Sequence, residues 1–214
     1  MTPMNEQRAV VAVIDDDESV REALQGLLES VALKVELFGS VDDFLRTSNY
    51  HAPNCIVLDV RLPGPSGLDL QAQLADANSP TPIVFITAHG DIRMSVRAMK
   101  AGAIEFLAKP LQEQELLDAV RNGIERDRVR RAAEQAIAEL QIRFASLTPR
   151  EKEAMALLAA GRLNKQIADQ MGTSEMTARV HRHQVMHKMG ARSLADLVRM
   201  ADKLDSPSTK QSRI

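Results

Sequence analysis

The sequence predicts an α/β domain followed by a smaller all-α domain, and two observations support this division. In residues 8–125, short and nearly continuous apolar runs alternate with amphipathic helical patterns. After residue 147, only helical patterns remain. Nearly continuous apolar strands that alternate with helices are typical of a parallel sheet covered by helices on both faces.

Five strands and their helices account for the first domain. Apolar runs predict strands at 9–14, 35–38, 55–60, 82–87 and 103–108. The segments between them carry apolar residues three or four positions apart, as in Val20, Leu24 and Leu28, and this spacing predicts helices. Because crossovers between parallel strands are right-handed, the flavodoxin-like order 2-1-3-4-5 is expected for such a (βα)5 unit.

The linker at residues 126–147 is predicted to be helical, but two alternatives are open. Residues 112–146 contain no proline, and their apolar residues follow helical spacing. The last helix of the first domain would then run on as a long linker helix. The other alternative is a shorter helix and a flexible linker, because Gly123 costs a helix about 1 kcal/mol relative to alanine.

Four helices are predicted for the second domain, residues 148–204. Thr148, Pro149 and Glu151 supply an N-cap, a proline at the first helical position and an acidic first turn. Further helix boundaries are predicted at Gly161, Gly172, Thr173 or Ser174, Met189, Ser193 and Leu204. The polar residues 205–214 are predicted to be a disordered tail.

Charge divides the chain in the same place as the helical pattern. Residues 1–125 hold 10 Lys and Arg against 19 Asp and Glu, whereas residues 148–204 hold 10 against 6. Hydrophobic residues make up 44% of the chain and aromatic residues 3%, so the core must be aliphatic. An acidic front and a basic back indicate different partners, with nucleic acid as a candidate partner of the basic part.

The composition predicts a cytoplasmic protein without disulfides. The single cysteine, Cys55, lies inside an apolar run, as expected of a small buried hydrophobe. The N-terminus lacks the apolar stretch of a signal peptide, and no apolar run approaches membrane-spanning length. No membrane partner is therefore expected.

Polar residues stand where four of the predicted strands end. Asp15 and Asp16 follow the first strand, Asp59 ends the third, Thr87 ends the fourth, and Lys109 follows the fifth. In open parallel sheets, ligands bind beyond the carboxyl ends of the strands. Three carboxylates gathered there would bind a hard cation, Mg²⁺ or Mn²⁺, and the lysine would bind an anion. This combination suits a phosphoryl group, whose transfer depends mostly on positioning and charge neutralisation.

The first domain resembles the receiver domains of two-component response regulators. The similarity spans about residues 8–125, in the segments IDDD, LDVRLPGPSG, ITAHGD and AGAIEFLAKP. It implies that a sensor histidine kinase phosphorylates Asp59. It also implies that Asp15, Asp16, Asp59 and the backbone carbonyl of Arg61 bind magnesium.

The same resemblance assigns roles to residues on the fourth and fifth strands. Lys109 would contact the phosphate, and the Lys109–Pro110 peptide would be cis. Thr87 and Phe106 would form the switch, with Thr87 moving toward the phosphate and Phe106 turning inward. Phenylalanine stands at 106 where many relatives have tyrosine, so the inward movement would be driven by apolar burial alone.

The second domain contains a predicted helix-turn-helix, with MGTSE as its tight turn. On its second helix, Arg179 can bind guanine with two hydrogen bonds, and Val180 can contact a thymine methyl group. The other candidate DNA-binding residues are Lys165, Ser174, Thr177, Arg182, His183 and Lys188; of these, Lys165, Thr177, Arg182 and Lys188 are placed for phosphates. A metal site at His181, His183 and His187 is the alternative, but no nearby carboxylate or cysteine supports it.

Residues 148–204 resemble the LuxR-type DNA-binding domain over its full length. The matching positions include Glu151, Gly161, Asn164, Lys165, Ile167, Ala168, Thr177, Val180, His181, Lys188, Ser193 and Leu194. With the receiver in front, the chain resembles the FixJ subgroup and, within it, regulators of aromatic catabolism. The resemblance implies a transcription factor that is not a turnover enzyme, although its receiver would catalyse its own phosphorylation and slow dephosphorylation. Phosphorylation would promote a homodimer, which would bind promoter DNA, contact RNA polymerase and activate transcription.

Two other classes of protein are alternatives to this one. A phosphatase of the haloacid dehalogenase type also uses an aspartate at a strand end, but it requires a second acid two residues later, where this chain has Arg61. A DNA-binding protein with a vestigial receiver is the other alternative. The full set of receiver residues argues against it.

Overall fold

The computed structural model describes residues 8–47, 53–77, 79–88 and 92–205. Its chain divides into two compact units, Met1–Arg130 and Arg131–Ile214. The predicted tail at 205–214 lies outside the described residues except for Asp205, which is helical. Residues 89–91, the last three of the segment ITAHGD, also lie outside them.

The first unit is built on a five-stranded parallel sheet in the order 2-1-3-4-5, which confirms the predicted topology. Its strands are β1 (Val10–Ile14), β2 (Lys34–Phe38), β3 (Cys55–Asp59), β4 (Ile83–Thr87) and β5 (Glu105–Ala108). Its helices are α1 (Glu18–Ser30), α2 (Val41–Thr47), α3 (Gly67–Asp76), α4 (Ile92–Lys100) and α5 (Glu113–Ala145), which continues into the second unit.

Apolar cores lie on both faces of this sheet. Successive strand residues point to opposite faces, so Val11 and Val13 enter one core, whereas Ala12 and Ile14 enter the other. Every residue of β3 and β4 is buried. These central strands are therefore fixed from both sides, and the residues at their carboxyl ends are placed by a rigid frame.

Helix α5 runs without a break through Gly123, so of the two linker alternatives the structure shows the continuous helix. Gly123 has a packing role that the low helix propensity of glycine does not indicate. A Cβ atom at Gly123 would lie 2.7 Å from Cys55 Sγ and 3.4 Å from Pro82 Cβ. Position 123 therefore lets the helix approach β3 closely enough to cover the thiol.

The second unit contains the end of α5 and four further helices. They are α6 (Pro149–Ala159), α7 (Asn164–Met171), α8 (Glu175–Met189) and α9 (Leu194–Asp205). Thr148 caps α6 with a full capping box to Glu151, and Ser174 caps α8, as the sequence predicts. Gly172 adopts a left-handed conformation (φ 61°) between α7 and α8, which lets the chain turn sharply there.

The helices of the second unit enclose one aliphatic core. Its buried members are Leu140, Leu147, Ala154, Met155, Leu158, Ile167, Ala168, Met171, Ala178, Val185, Met189 and Leu197. Helix α8 contributes Ala178, Val185 and Met189, which lie on one side of the helix. The opposite side of α8 is consequently presented to solvent.

Candidate functional sites

The strand ends bring the predicted polar residues of the first unit to one edge of the sheet. Asp15 directly follows β1, Asp59 ends β3, and Thr87 ends β4. Because β3, β4 and β5 are parallel and in register, Asp59 is paired with Ile86, and Thr87 with Ala108, directly before Lys109. We call this edge the acidic rim, and it consists of Asp15, Asp16, Asp59, Thr87 and Lys109.

Lys109 joins two carboxylates of the acidic rim. Its Nζ donates to Asp15 Oδ2 and to Asp59 Oδ2, each at 2.7 Å. The Asp15 side chain is fully buried, whereas those of Asp59 and Lys109 are 9% and 18% exposed. The ammonium thus compensates part of the charge of two carboxylates that the fold removes from water. The Lys109–Pro110 peptide is cis, as predicted.

Burial and pairing act in opposite directions on the pKa values here. Burial raises the pKa of Asp15 above its ordinary value, although hydrogen bonds from Lys109 and from the Asp17 amide oppose the increase. Burial alone would lower the pKa of Lys109, but the hydrogen bonds to Asp15 and Asp59 outweigh it and leave this pKa raised. Lys109 is therefore a fixed positive charge at physiological pH.

The carboxylates of the acidic rim also fit a divalent cation. One ligand oxygen from each of Asp15, Asp16 and Asp59 lies within 4.8 Å of the others. Asp16 is exposed, so the cluster is open to solvent on its side. An all-oxygen, anionic donor set with open positions suits Mg²⁺, which prefers oxygen ligands and retains several waters.

The chain after Asp59 turns tightly around the carboxylate. The Arg61 backbone N–H donates to Asp59 Oδ1 at 2.9 Å. This hydrogen bond holds the segment that contains the Arg61 carbonyl beside the acidic rim. The assignment of that carbonyl as a metal ligand stays a prediction.

Gly67 supports this turn, a role that was not predicted from the sequence. Its N–H donates to Val60 O at 3.0 Å, and a Cβ atom at this position would lie 2.3 Å from Asp59 O. The backbone of α3 therefore approaches the backbone of β3 at a distance that only glycine permits. The one sequence feature that could have indicated this role is a glycine at the first position of α3, directly after Ser66.

Arg21 is a second supporting residue whose role was not predicted from the sequence. From α1, its Nη1 donates to the backbone carbonyls of Asp15 at 2.7 Å and Asp16 at 3.0 Å. It thereby fixes the loop that presents two of the carboxylates. No pattern in the sequence indicates this role, because the guanidinium binds backbone atoms, which every residue type supplies.

Of the two predicted switch residues, Thr87 belongs to the acidic rim, and Phe106 lies on β5, three residues before Lys109. Thr87 is fully buried at the end of β4. Phe106, on β5, is half-buried, and its ring centroid lies 6.1 Å from that of Phe85, with the rings tilted by 41°. Phe106 thus has an apolar neighbour available on the inner side of the strand. Its movement on phosphorylation stays a prediction.

A cleft of about 620 Å³ lies at the opposite, amino-terminal end of the strands. Its lining residues are Gln71, Leu74, Ala75, Ser79, Pro80, Thr81, Pro82, Ile83, Ala101, Gly102, Arg126, Asp127 and Arg130. None of the acidic-rim residues is among them. The candidate phosphoryl site is therefore an open edge of the sheet rather than this cleft.

The outward face of α8 carries most of the predicted DNA-binding residues. Arg179 and His183 are exposed, and the Val180 side chain is 52% exposed. At the start of the helix, Ser174 Oγ accepts from Thr177 N–H at 3.2 Å and lies 2.9 Å from Thr177 Oγ1. The hydrogen-bond donors of this set are Ser174, Thr177, Arg179, His183 and the exposed Lys165 of α7, whereas Val180 supplies an apolar group.

Two predicted phosphate contacts have partners within the second unit. Lys188 Nζ donates to both carboxylate oxygens of Glu151, at 2.9 and 2.7 Å, and so joins α8 to the start of α6. Its hydrogen bonds, followed by that of the Thr148 amide, lower the pKa of Glu151. Arg182 Nη1 lies 3.5 Å from Asn164 Oδ1, a long contact. Lys188 therefore has a structural role, and its phosphate contact stays a prediction.

No helix in the described part of the chain is both long enough and apolar enough to cross a membrane.

Comparisons with known proteins identify both units. The response regulator receiver domain matches residues 11–121, and the luxR family of bacterial regulatory proteins matches residues 145–201. Nodulation protein W of Bradyrhizobium diazoefficiens is 50% identical over 209 residues, which cover 97% of this chain and 92% of that protein.

Two solved structures extend the similarity to the fold. The low-resolution structure of response regulator StyR has a TM-score of 0.84 and 49% identity, and covers 92% of this chain and 99% of its own. Full-length FixJ from B. japonicum has a TM-score of 0.55 and 38% identity, and covers 91% and 96%. With a receiver sheet that carries the acidic rim and a helix-turn-helix unit that follows it in the sequence, the chain belongs to the FixJ-like transcriptional response regulators, which join a receiver domain to a LuxR-type DNA-binding domain.

Proposed function

We propose that Asp59 accepts a phosphoryl group from a sensor histidine kinase and that this event controls promoter binding by the second unit. The observation that carries the proposal is the Lys109 ammonium held 2.7 Å from both Asp15 and Asp59 beside an open carboxylate cluster. An acceptor carboxylate with a fixed cation beside it is suited to receive a dianionic group.

The transfer needs little covalent chemistry from the protein. A carboxylate oxygen of Asp59 attacks phosphorus, an O–P bond forms, and the N–P bond of the phosphohistidine breaks with its electron pair returning to the imidazole. Asp15, Asp16, Asp59 and the Arg61 carbonyl would hold Mg²⁺, which supplies neutralisation of the phosphoryl oxygens. Lys109 contacts one phosphoryl oxygen, and the Thr87 hydroxyl donates to another.

Dimerisation is the proposed link between phosphorylation and DNA. On α4, Ile92, Val96 and Met99 are 83%, 45% and 42% exposed, and they recur four and three residues apart along one face of the helix. An apolar stripe of this kind gives a second phosphorylated copy a surface to bury. Two DNA-binding units would then match a two-fold symmetric promoter site and place RNA polymerase for activation.

The DNA contacts in this proposal are divided by chemistry. Arg179 and Val180 contact base edges, with His183 beside them, because all three are exposed on the outward face of α8. Lys165, Ser174, Thr177 and Arg182 contact phosphates, which set the register of the protein on the duplex. Lys188 is assigned to phosphate from its place on a basic helix alone, since its ammonium is bound to Glu151.

The test combines mass and DNA binding. The full chain is incubated with acetyl phosphate and Mg²⁺, weighed intact, and titrated with promoter DNA at one fixed salt concentration. We expect the mass of one phosphoryl group in the wild type, none in Asp59→Asn, and tighter DNA binding by the wild type alone. A phosphoryl group on Asp59→Asn contradicts the site. Equal DNA affinity of phosphorylated and unphosphorylated protein contradicts the coupling and supports a vestigial receiver.

A further inference from the structure

An exposed apolar pair lies in the first half of α8, on the side that carries the proposed DNA contacts. Met176 is 69% exposed and Val180 is 52% exposed, one helical turn apart. On the other side of the helix, Ala178, Val185 and Met189 are completely buried. With about 100° per residue, Met176 and Val180 each lie within roughly 20° of the direction opposite the buried side chains. The pair therefore points directly away from the core of its own unit.

The neighbours of this pair are hydrogen-bonding groups. Arg179 and His183 are exposed beside it, and Thr177 follows Met176 at the start of the helix. An isolated exposed apolar residue needs no explanation. Two of them, centred on the face that also carries the base-contacting donors, form a patch with a defined chemical counterpart on DNA.

That counterpart is the C5 methyl group of thymine, the apolar group that thymine displays in the major groove. The N-terminal residues of a recognition helix are those that contact base edges, and Met176 is the second residue of α8. Methionine is flexible and fills irregular apolar gaps. We infer that Met176 is a specificity-determining residue that, beside Val180, contacts a second thymine methyl group.

The spacing of the pair limits which thymines it can contact. Four residues of helix advance about 6 Å along the helix axis. Successive base pairs are about 3.4 Å apart along the duplex. Met176 and Val180 therefore contact methyl groups within one or two base-pair steps of each other, and the binding site should contain two thymines at that separation in each half-site.

The inference rests on the proposed DNA binding, and its test separates the two. The full chain, treated with acetyl phosphate, selects its binding site from a pool of random duplexes. Each thymine of the selected site is then replaced by uracil, which keeps the hydrogen-bonding edge and lacks only the methyl group. We expect two positions per half-site at which uracil weakens binding about fourfold, the value of one buried methyl-sized group.

Variants assign each methyl group to a side chain. Met176→Ala should abolish the thymine preference at one of the two positions, and Val180→Ala should abolish it at the other. Met176→Leu should keep it. Neither alanine variant removes a charge, so the salt dependence of binding should stay that of the wild type. Ile142→Ala is the matched control, because Ile142 is a 71% exposed apolar residue of α5 in the same unit; it should leave both preferences intact.

The outcomes are distinct for the two proposals. Failure to select any site contradicts the proposed function. A selected site that binds equally well with uracil at every position contradicts the inference about Met176 and leaves DNA binding in place. The same holds if Met176→Ala, with wild-type circular dichroism, retains both thymine preferences.

Discussion

Replacing Gly67 by alanine should disable the receiver, because the new methyl group has no room. A Cβ atom at this position would lie 2.3 Å from Asp59 O and 3.0 Å from Leu58 Cγ, whereas ordinary contacts begin at 3.4 Å. The backbones of α3 and β3 must therefore separate by 1.1 Å, the difference between 3.4 and 2.3 Å. This movement pulls on the hydrogen bond from Gly67 N–H to Val60 O and on the turn that follows Asp59.

The expected cost follows from these two effects. Overpacking costs about 1–3 kcal/mol, and a weakened buried hydrogen bond adds about 0.5–1.5 kcal/mol. A loss of about 2–4 kcal/mol lowers the melting temperature of a domain of this size by roughly 8–15 °C. Phosphorylation should fall further than stability explains, because the displaced turn carries the Arg61 backbone next to the acceptor carboxylate.

Gly26→Ala is the matched control for this prediction. Gly26 is exposed within α1, and a Cβ atom there meets nothing within 4 Å. Alanine should stabilise that helix by about 0.5–1 kcal/mol. Thermal unfolding and the rate of phosphorylation by acetyl phosphate are measured for both variants at a temperature where both are folded. If Gly67→Ala unfolds like the wild type and is phosphorylated at the same rate, the close approach of α3 to β3 does not exist.

Three further predictions test other supports of the two units. Gly123→Ala should destabilise the first unit by about 1–3 kcal/mol in urea unfolding, because its Cβ would lie 2.7 Å from Cys55 Sγ. In a Cys55→Ala background the same change should become neutral or stabilising, and equal costs in both backgrounds would rule the clash out. Lys188 lowers the pKa of the Glu151 carboxylate below its ordinary value of 4.5. At pH values above 4.5 the carboxylate should therefore stabilise the second unit, and this contribution should be lost as the pH falls through the lowered pKa. The stability difference between the wild type and Glu151→Gln should therefore shrink in acid, and a difference that grows there would refute the assignment. Arg21→Gln should weaken Mn²⁺ binding about tenfold by calorimetry. Arg21→Lys should have an intermediate affinity, and the stability of both variants should change little. Unaltered affinity would show that the loop with Asp15 and Asp16 keeps its conformation without Arg21.

The order of the strands and the composition of the acidic rim were predictable because both follow from short-range patterns. Apolar runs predict β1 and β3, and the chirality of crossovers leaves few ways to arrange five strands. Once the strands are parallel, Asp15, Asp59 and Lys109 must meet, since each stands at a carboxyl end. The sequence therefore predicted which side chains form the rim without any knowledge of distances.

The supports of the rim were not predictable, because they depend on how closely backbones approach. Gly123 illustrates the difficulty: its helix propensity argues for a break in α5, whereas the helix passes through it in order to pack against Cys55. Tertiary packing outweighs a local cost of about 1 kcal/mol. Lys188 illustrates the converse, because its place on a basic helix indicates a phosphate contact, and only the structure reveals Glu151 as its partner.

Lys109 is the residue on which the proposed switch depends, because it has two alternative sets of partners. Without phosphate, its ammonium is bound by Asp15 and Asp59, and this pairing is what makes the burial of two carboxylates tolerable. A phosphoryl group on Asp59 would replace the singly charged carboxylate of Asp59 with a more highly charged group whose oxygens lie further from β3. The ammonium would then gain a stronger partner while still neutralising Asp15.

A ligand shifts a conformational equilibrium only through a difference in its interactions with the two states. The exchange of partners at Lys109 supplies such a difference at the end of β5. Lys109 lies only three residues beyond Phe106, the proposed switch residue. We therefore expect β5 to be the strand that responds to phosphorylation.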